Sequence, residues 1–113
     1  MSLRMNKRQV DSVTVIDMSG KIILGEETAQ LRETVKKILS KGNDRILLNL
    51  SDVSYIDSSG LGQLVSCFAK TVGKGGQMKL LNLTNKVKEV LQITKLSTVF
   101  DIFEDENKAI QSF

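Results

Sequence analysis

The sequence predicts an α/β domain built on a mixed, mainly parallel sheet, and three observations carry that prediction. Apolar strand-like runs alternate with amphipathic stretches of roughly ten to fifteen residues, the rhythm of βαβ units. Arg45 to Leu50 is short and almost continuously apolar, as suits a strand buried on both faces. Two β-rich runs, Val13 to Met18 and Lys21 to Leu24, meet across Ser19 and Gly20, which predicts one antiparallel contact at a tight glycine bend.

In chain order, residues 1–8 are polar and basic and read as a flexible lead-in, with the domain over 9–113. Val13, Val15 and Met18, mixed with Thr14 and Ile16, give the first strand. A loop around Gly25 and Glu26 leads to a helix from Glu27 to Lys41, with its apolar face at Leu31, Val35, Ile38 and Leu39. Acids begin that helix and Lys36, Lys37 and Lys41 end it, the polarity its dipole favours, and Gly42 and Asn43 stop it. After the Arg45–Leu50 strand, Val53, Tyr55 and Ile56 suggest a second, shorter one. Leu61, Leu64, Val65, Phe68 and Val72 then form one apolar helical stripe. Gly73 to Gly76 is a turn that lacks the GxxxxGK[ST] phosphate cradle. Met78 to Leu83 is the next strand, and Thr84 or Asn85 caps a helix with Val87, Val90 and Leu91 inside. Leu96 to Phe103 holds a short edge strand, and Glu104 to Gln111 a last helix packed through Ala109 and Ile110.

The 113 residues suffice for one domain with a core of its own. A hydrophobic share of 41% and a charged share of 26% are those of a globular chain, not a disordered one. A net charge of +3 argues against direct nucleic-acid binding, and no apolar run approaches the length of a membrane span. No secretory signal pattern is seen, so the chain reads as cytoplasmic, with no membrane partner. Having no His removes the usual general base and the Ser-His nucleophile. The one Cys, Cys67, excludes an intrachain disulfide and a thiolate zinc site; it lies off the apolar stripe and reads as a partly buried, inert thiol. No catalytic residues, cofactor or metal site are expected. Six lysines stand between Lys70 and Lys95 against one acid, Glu89, and an acidic cluster follows at Asp101, Glu104, Asp105 and Glu106. Such runs are solvated faces, or they orient a charged protein partner.

The stretch that carries chemistry is Asp57, Ser58, Ser59, Gly60, Leu61 and Gly62, between the buried strand and the second helix. Three readings fit it. A plain N-cap would use the Asp or Ser side chain on orphan backbone N–H groups. A dinucleotide loop would use Gly60 and Gly62, but position 65 is Val65 and no acidic ribose ligand stands about twenty residues on. A regulatory phosphoacceptor serine would place added charge at the positive end of a helix.

The hexapeptide resembles the signature of the STAS domain in the branch of bacterial anti-sigma factor antagonists, Asp-Ser-[Ser/Thr]-Gly-[Leu/Ile]-Gly at the start of the second helix. The likeness extends to Met18 through Ile22, to the helix from Glu27, and to Gly75 and Gly76. The resemblance implies a single STAS-like domain with a mixed sheet of four to five strands and about four helices. It implies a phosphoserine switch at Ser58 in a protein without enzymatic activity. Asp57, Ser59, Gly60, Leu61 and Gly62 would complete the switch turn and the partner-binding surface, with Gly60 and Gly62 permitting close backbone approach. The implied partners are an anti-sigma factor that is also a GHKL-type serine kinase, bound by the unphosphorylated form so that a sigma factor is released, and a PP2C-type phosphatase acting on phosphorylated Ser58. The alternative is a non-switching STAS scaffold subunit of a stressosome or a lipid-transport ATPase complex.

Overall fold

In the computed structural model, which describes residues 3–113, the sheet is built outward from two buried strands, β2 (Val13–Ile22) and β3 (Arg45–Ile56). They pair in parallel along most of their length, and the small irregularities near Met18 and Gly20 take up the sheet's twist. Gly20, at φ 108, is part of that irregularity within one continuous β2; it is not a bend between two strands. Nor does β3 stop at Leu50: the two expected strands are a single strand of 12 residues ending beside the turn at Asp57.

The antiparallel contact lies elsewhere than expected. Residues 3–10 form β1 (Leu3–Val10), an edge strand paired antiparallel with β2 through a two-residue turn at Asp11 and Ser12, with Asp11 at φ 54. This corrects the flexible lead-in assigned to residues 1–8, of which Met1 and Ser2 lie outside the described residues. The strand escaped notice because only Leu3 is fully buried, and the remainder, exposed or half-buried, carries basic residues of the kind that protect an edge.

The strand order is β1-β2-β3-β4-β5, where β4 (Gln77–Leu81) and β5 (Ile102–Phe103) extend the parallel part. The helices are α1 (Glu26–Ser40), α2 (Ser58–Gly73), α3 (Asn85–Ile93) and α4 (Glu106–Gln111), with a short 3-10 turn at Leu96–Thr98. Successive strand residues point to opposite faces. Ile16, Met18, Ile46, Leu48 and Leu80 pack with Leu31, Val35, Leu64, Val87 and Leu91 in the larger core. Val13, Val15, Leu47 and Leu81 pack with Ala109 of α4 on the other face.

Two polar devices hold α4 in place. Arg8 donates to Asp17 (2.6 Å from Nε) and to Glu106 (3.0 Å from Nη1), and the Asn49 amide donates to Asp17 at 2.8 Å, so β1, β2, β3 and α4 share one clasp. Lys79, only 7% exposed, donates to the Ser112 carbonyl and hydroxyl at 2.9 Å, with its ammonium over the Phe103 and Phe113 rings.

Candidate functional site

The turn expected to carry function sits at the C-terminal ends of β2 and β3, the edge of an open parallel sheet where α/β proteins present their sites. Two close approaches fix it. The Asp57 N–H donates to the Ile22 carbonyl at 3.2 Å, joining the turn to the end of β2. A Cβ on buried Gly60 would lie 2.0 Å from that same carbonyl oxygen, so no other residue fits without moving backbone.

Asp57 is the N-cap. Its Oδ1 accepts from the Gly60 N–H at 2.7 Å and its Oδ2 from the Leu24 N–H at 3.0 Å. These backbone donors, Gly60 first and Leu24 next, hold its carboxyl below the usual carboxylate range, so it stays charged. Ser58 and Ser59 are both exposed, and among the described residues neither hydroxyl has a hydrogen-bond partner within the chain. The cap that a serine could have supplied is already supplied by the aspartate.

Leu61 is 7% exposed and Leu64 fully buried, so Leu61 begins the core stripe. The stripe itself rotates from its expected course: Gly60, Leu61, Leu64, Cys67 and Thr71 face inward, whereas Val72 is 49% exposed. Cys67 is therefore fully buried, not partly, and burial pushes its thiol up to about 11. Gly62 differs from Gly60: it is exposed, and an added Cβ would meet nothing within 4 Å. Close approach inside the fold is required only at Gly60.

One neighbour of the site was not foreseen. Leu24, expected to lie within a strand, stands beyond the end of β2 with 72% exposure, tied to the turn by its N–H bond to Asp57. Gly25 follows at φ 129 and ψ −147, a region essentially confined to glycine, and so lets the chain turn away and leave the leucine outward. The Leu24-Gly25 pair was the available signal. Tyr55, 40% exposed with the Lys86 ammonium 5.8 Å from its ring centroid, lies two residues before Asp57. An exposed leucine bonded through its backbone to the cap, and an exposed aromatic ring two residues before it, thus accompany two unbonded hydroxyls at the start of α2. Among the described residues no group of three or more acidic or Cys side chains is arranged to hold a metal, and no helix is long and apolar enough to cross a membrane.

Residues 4–109 match the STAS domain. The chain belongs to the STAS domain family. The anti-sigma-B factor antagonist of Bacillus subtilis (strain 168) is 30% identical over 111 residues, covering 98% of this chain and all (100%) of that protein. The crystal structure of a Thermotoga maritima protein provisionally assigned as an anti-sigma factor antagonist superposes with a TM-score of 0.85 at 28% identity, over 96% of this chain and 92% of the other. The phosphorylated form of the Bacillus cell-fate determinant SpoIIAA has the same fold, with a TM-score of 0.75 at 22% identity over 96% of this chain and 98% of that one. The STAS fold thus accounts for the five-stranded mixed sheet and for the position of the turn at the start of α2.

Proposed function

We propose that this STAS domain is an anti-sigma factor antagonist switched by phosphorylation at Ser58. One observation carries the proposal: the Asp57 carboxylate caps α2, while the adjacent Ser58 hydroxyl is exposed and without a bond inside the fold. A serine with no structural duty in the signature turn is free to serve a partner, and the antagonist names of the relatives indicate what that partner is. In the unphosphorylated state the surface around Ser58 binds an anti-sigma factor that is a GHKL-type serine kinase, and a sigma factor is released. ATP belongs to the kinase; the STAS domain itself acts by binding, in the cytoplasm, without a cofactor. A PP2C-type phosphatase restores the binding form.

The chemistry of the turn suits such a switch. Phosphate adds about −1.5 to −2 charges and three acceptor oxygens. Within the free protein the N-terminus of α2 tolerates that charge. In an interface packed over Ser58 the charge loses its water beside the already ionised Asp57, and binding weakens without refolding. Leu24 and Tyr55 supply the apolar contacts that flank it, and Gly62, with no internal need for glycine, leaves room for the partner's backbone.

Titration of the kinase with Ser58→Asp and Ser58→Ala tests the proposal. Ser58→Ala should bind like the parent and accept no phosphate. Ser58→Asp should fold normally and bind at least about tenfold more weakly, equivalent to about 1.4 kcal/mol. Equal affinities with intact folds would place Ser58 outside the interface, and a non-switching scaffold role would replace the switch.

A further inference from the structure

The opposite end of α2 carries a second feature that the switch does not use. Where α1 and α2 end side by side, a half-open groove of about 360 Å³ is lined by Lys36, Leu39 and Ser40 of α1 and by Lys70 and Lys74 at the end of α2. Its lining is mostly apolar, with Leu39 buried to 7% exposure behind three exposed lysines, side chains whose long hydrocarbon stems can cover apolar surface while the charge stays in water. Arg32 stands one turn before Lys36 on the same side of α1, and with Lys70 it lies close enough to act on the buried Cys67 thiol. Among the described residues none of these four cations forms an ion pair, and α2 contains no acid at all.

Helix-end electrostatics explain only part of this. Lys70 and Lys74 lie in the reach of the α2 C-terminal dipole, which extends over the last turn. Lys36 and Arg32 lie outside the last turn of α1. We propose that the groove binds a single-chain anionic amphiphile, a long-chain carboxylate whose alkyl chain rests on Leu39 and the lysine stems and whose head group sits among Lys36, Lys70 and Lys74. The volume falls within the roughly 300–1,000 Å³ of small-molecule sites that are mostly apolar with a few convergent polar groups. A docked protein helix would instead need about 800 Å² per partner and a row of apolar anchors. Leu39 alone offers no such row. The groove lies twelve or more residues along α2 from Ser58, about 18 Å at 1.5 Å per residue, so this inference stands independently of the switch.

The test is a ¹H–¹⁵N NMR titration of the full chain with laurate below its aggregation concentration, alongside dodecanol and a hexaglutamate peptide. The expected result is saturable shifts at the Leu39, Ser40, Lys70 and Lys74 amides. The Kd should rise at least tenfold in the Lys36→Gln/Lys70→Gln/Lys74→Gln variant, which changes only exposed side chains and whose fold is checked by its own amide spectrum. Ser40→Trp, which fills the groove but keeps every charge, should abolish the shifts. No saturable shift, equal binding of dodecanol, or an unchanged Kd in the triple variant would overturn the proposal. Tighter binding of hexaglutamate at the same amides would overturn it in favour of an acidic protein segment.

Discussion

Asp17, in the middle of β2, and Asp57, just beyond the end of β3, both hold their charge more firmly than an ordinary carboxylate, by opposite means. At Asp17 the cause is side chains: Arg8 foremost, helped by Asn49. Arg8 in turn engages Glu106, whose carboxyl is likewise held low, and the guanidinium is pushed further up. Every strong donor and acceptor there is matched inside the fold. At Asp57 the cause is backbone, the Gly60 and Leu24 N–H groups, and the hydroxyls beside it remain unmatched. A charged cluster whose bonds all close on one another locks elements together. One that saturates only its own carboxylate leaves its neighbours available to a partner.

The contrast can be broken most forcefully at Gly60. Gly60→Ala drives a Cβ into the Ile22 carbonyl and should destabilise the fold by about 3 kcal/mol in denaturant unfolding, taking kinase binding with it. Arg8→Ala should cost less, about 1–2 kcal/mol, because the clasp is partly exposed, and it should leave kinase affinity unchanged.

Acid separates the parent from that variant. Asp17 and Glu106 have folded pKa values below their ordinary 3.8 and 4.5, so their contribution is complete above that range. As pH falls, the unfolded chain takes up the protons first, and the contribution is lost through the lower folded values. The melting temperature of the parent should therefore drop more steeply between pH 6 and pH 3 than that of Arg8→Ala.

Gly62→Ala sharpens the comparison with Gly60. It replaces an unconstrained helical glycine and should gain about 0.5–1 kcal/mol of stability while weakening kinase binding. The smallest effect is expected at Ser58→Ala, a change under about 0.5 kcal/mol by thermal melting, since Asp57 holds the cap. A larger loss would mean that the hydroxyl has structural work after all.

The charge runs show how far local reading goes. The acidic cluster near the C-terminus looked like a possible docking surface, yet Glu106 closes on Arg8, Asp101 lies 3.9 Å from Lys79 and Glu104 lies 3.7 Å from Lys88. Lys79, counted within a basic run, is buried beneath α4. No spacing along the chain distinguishes it from Lys70 or Lys74, which stay in solvent.

The sequence by itself determined the α/β class, the first helix, expected over Glu27–Lys41 and found at Glu26–Ser40, and a capped start of α2 within Asp57, Ser58 and Ser59, because helical periodicity and capping act within a few residues. Tertiary structure alone decided the rest. Residues 3–10 became a strand because β2 offered an unpaired edge, and their polar composition had no local means of announcing it. Cys67 went fully inside and Val72 outside because the sheet and α1 chose which arc of α2 to cover. Leu24 stays in solvent where its backbone N–H donates to a carboxylate 33 residues away and Gly25 turns the chain aside. Burial is a property of what packs against a face, and the covering element is usually distant in sequence.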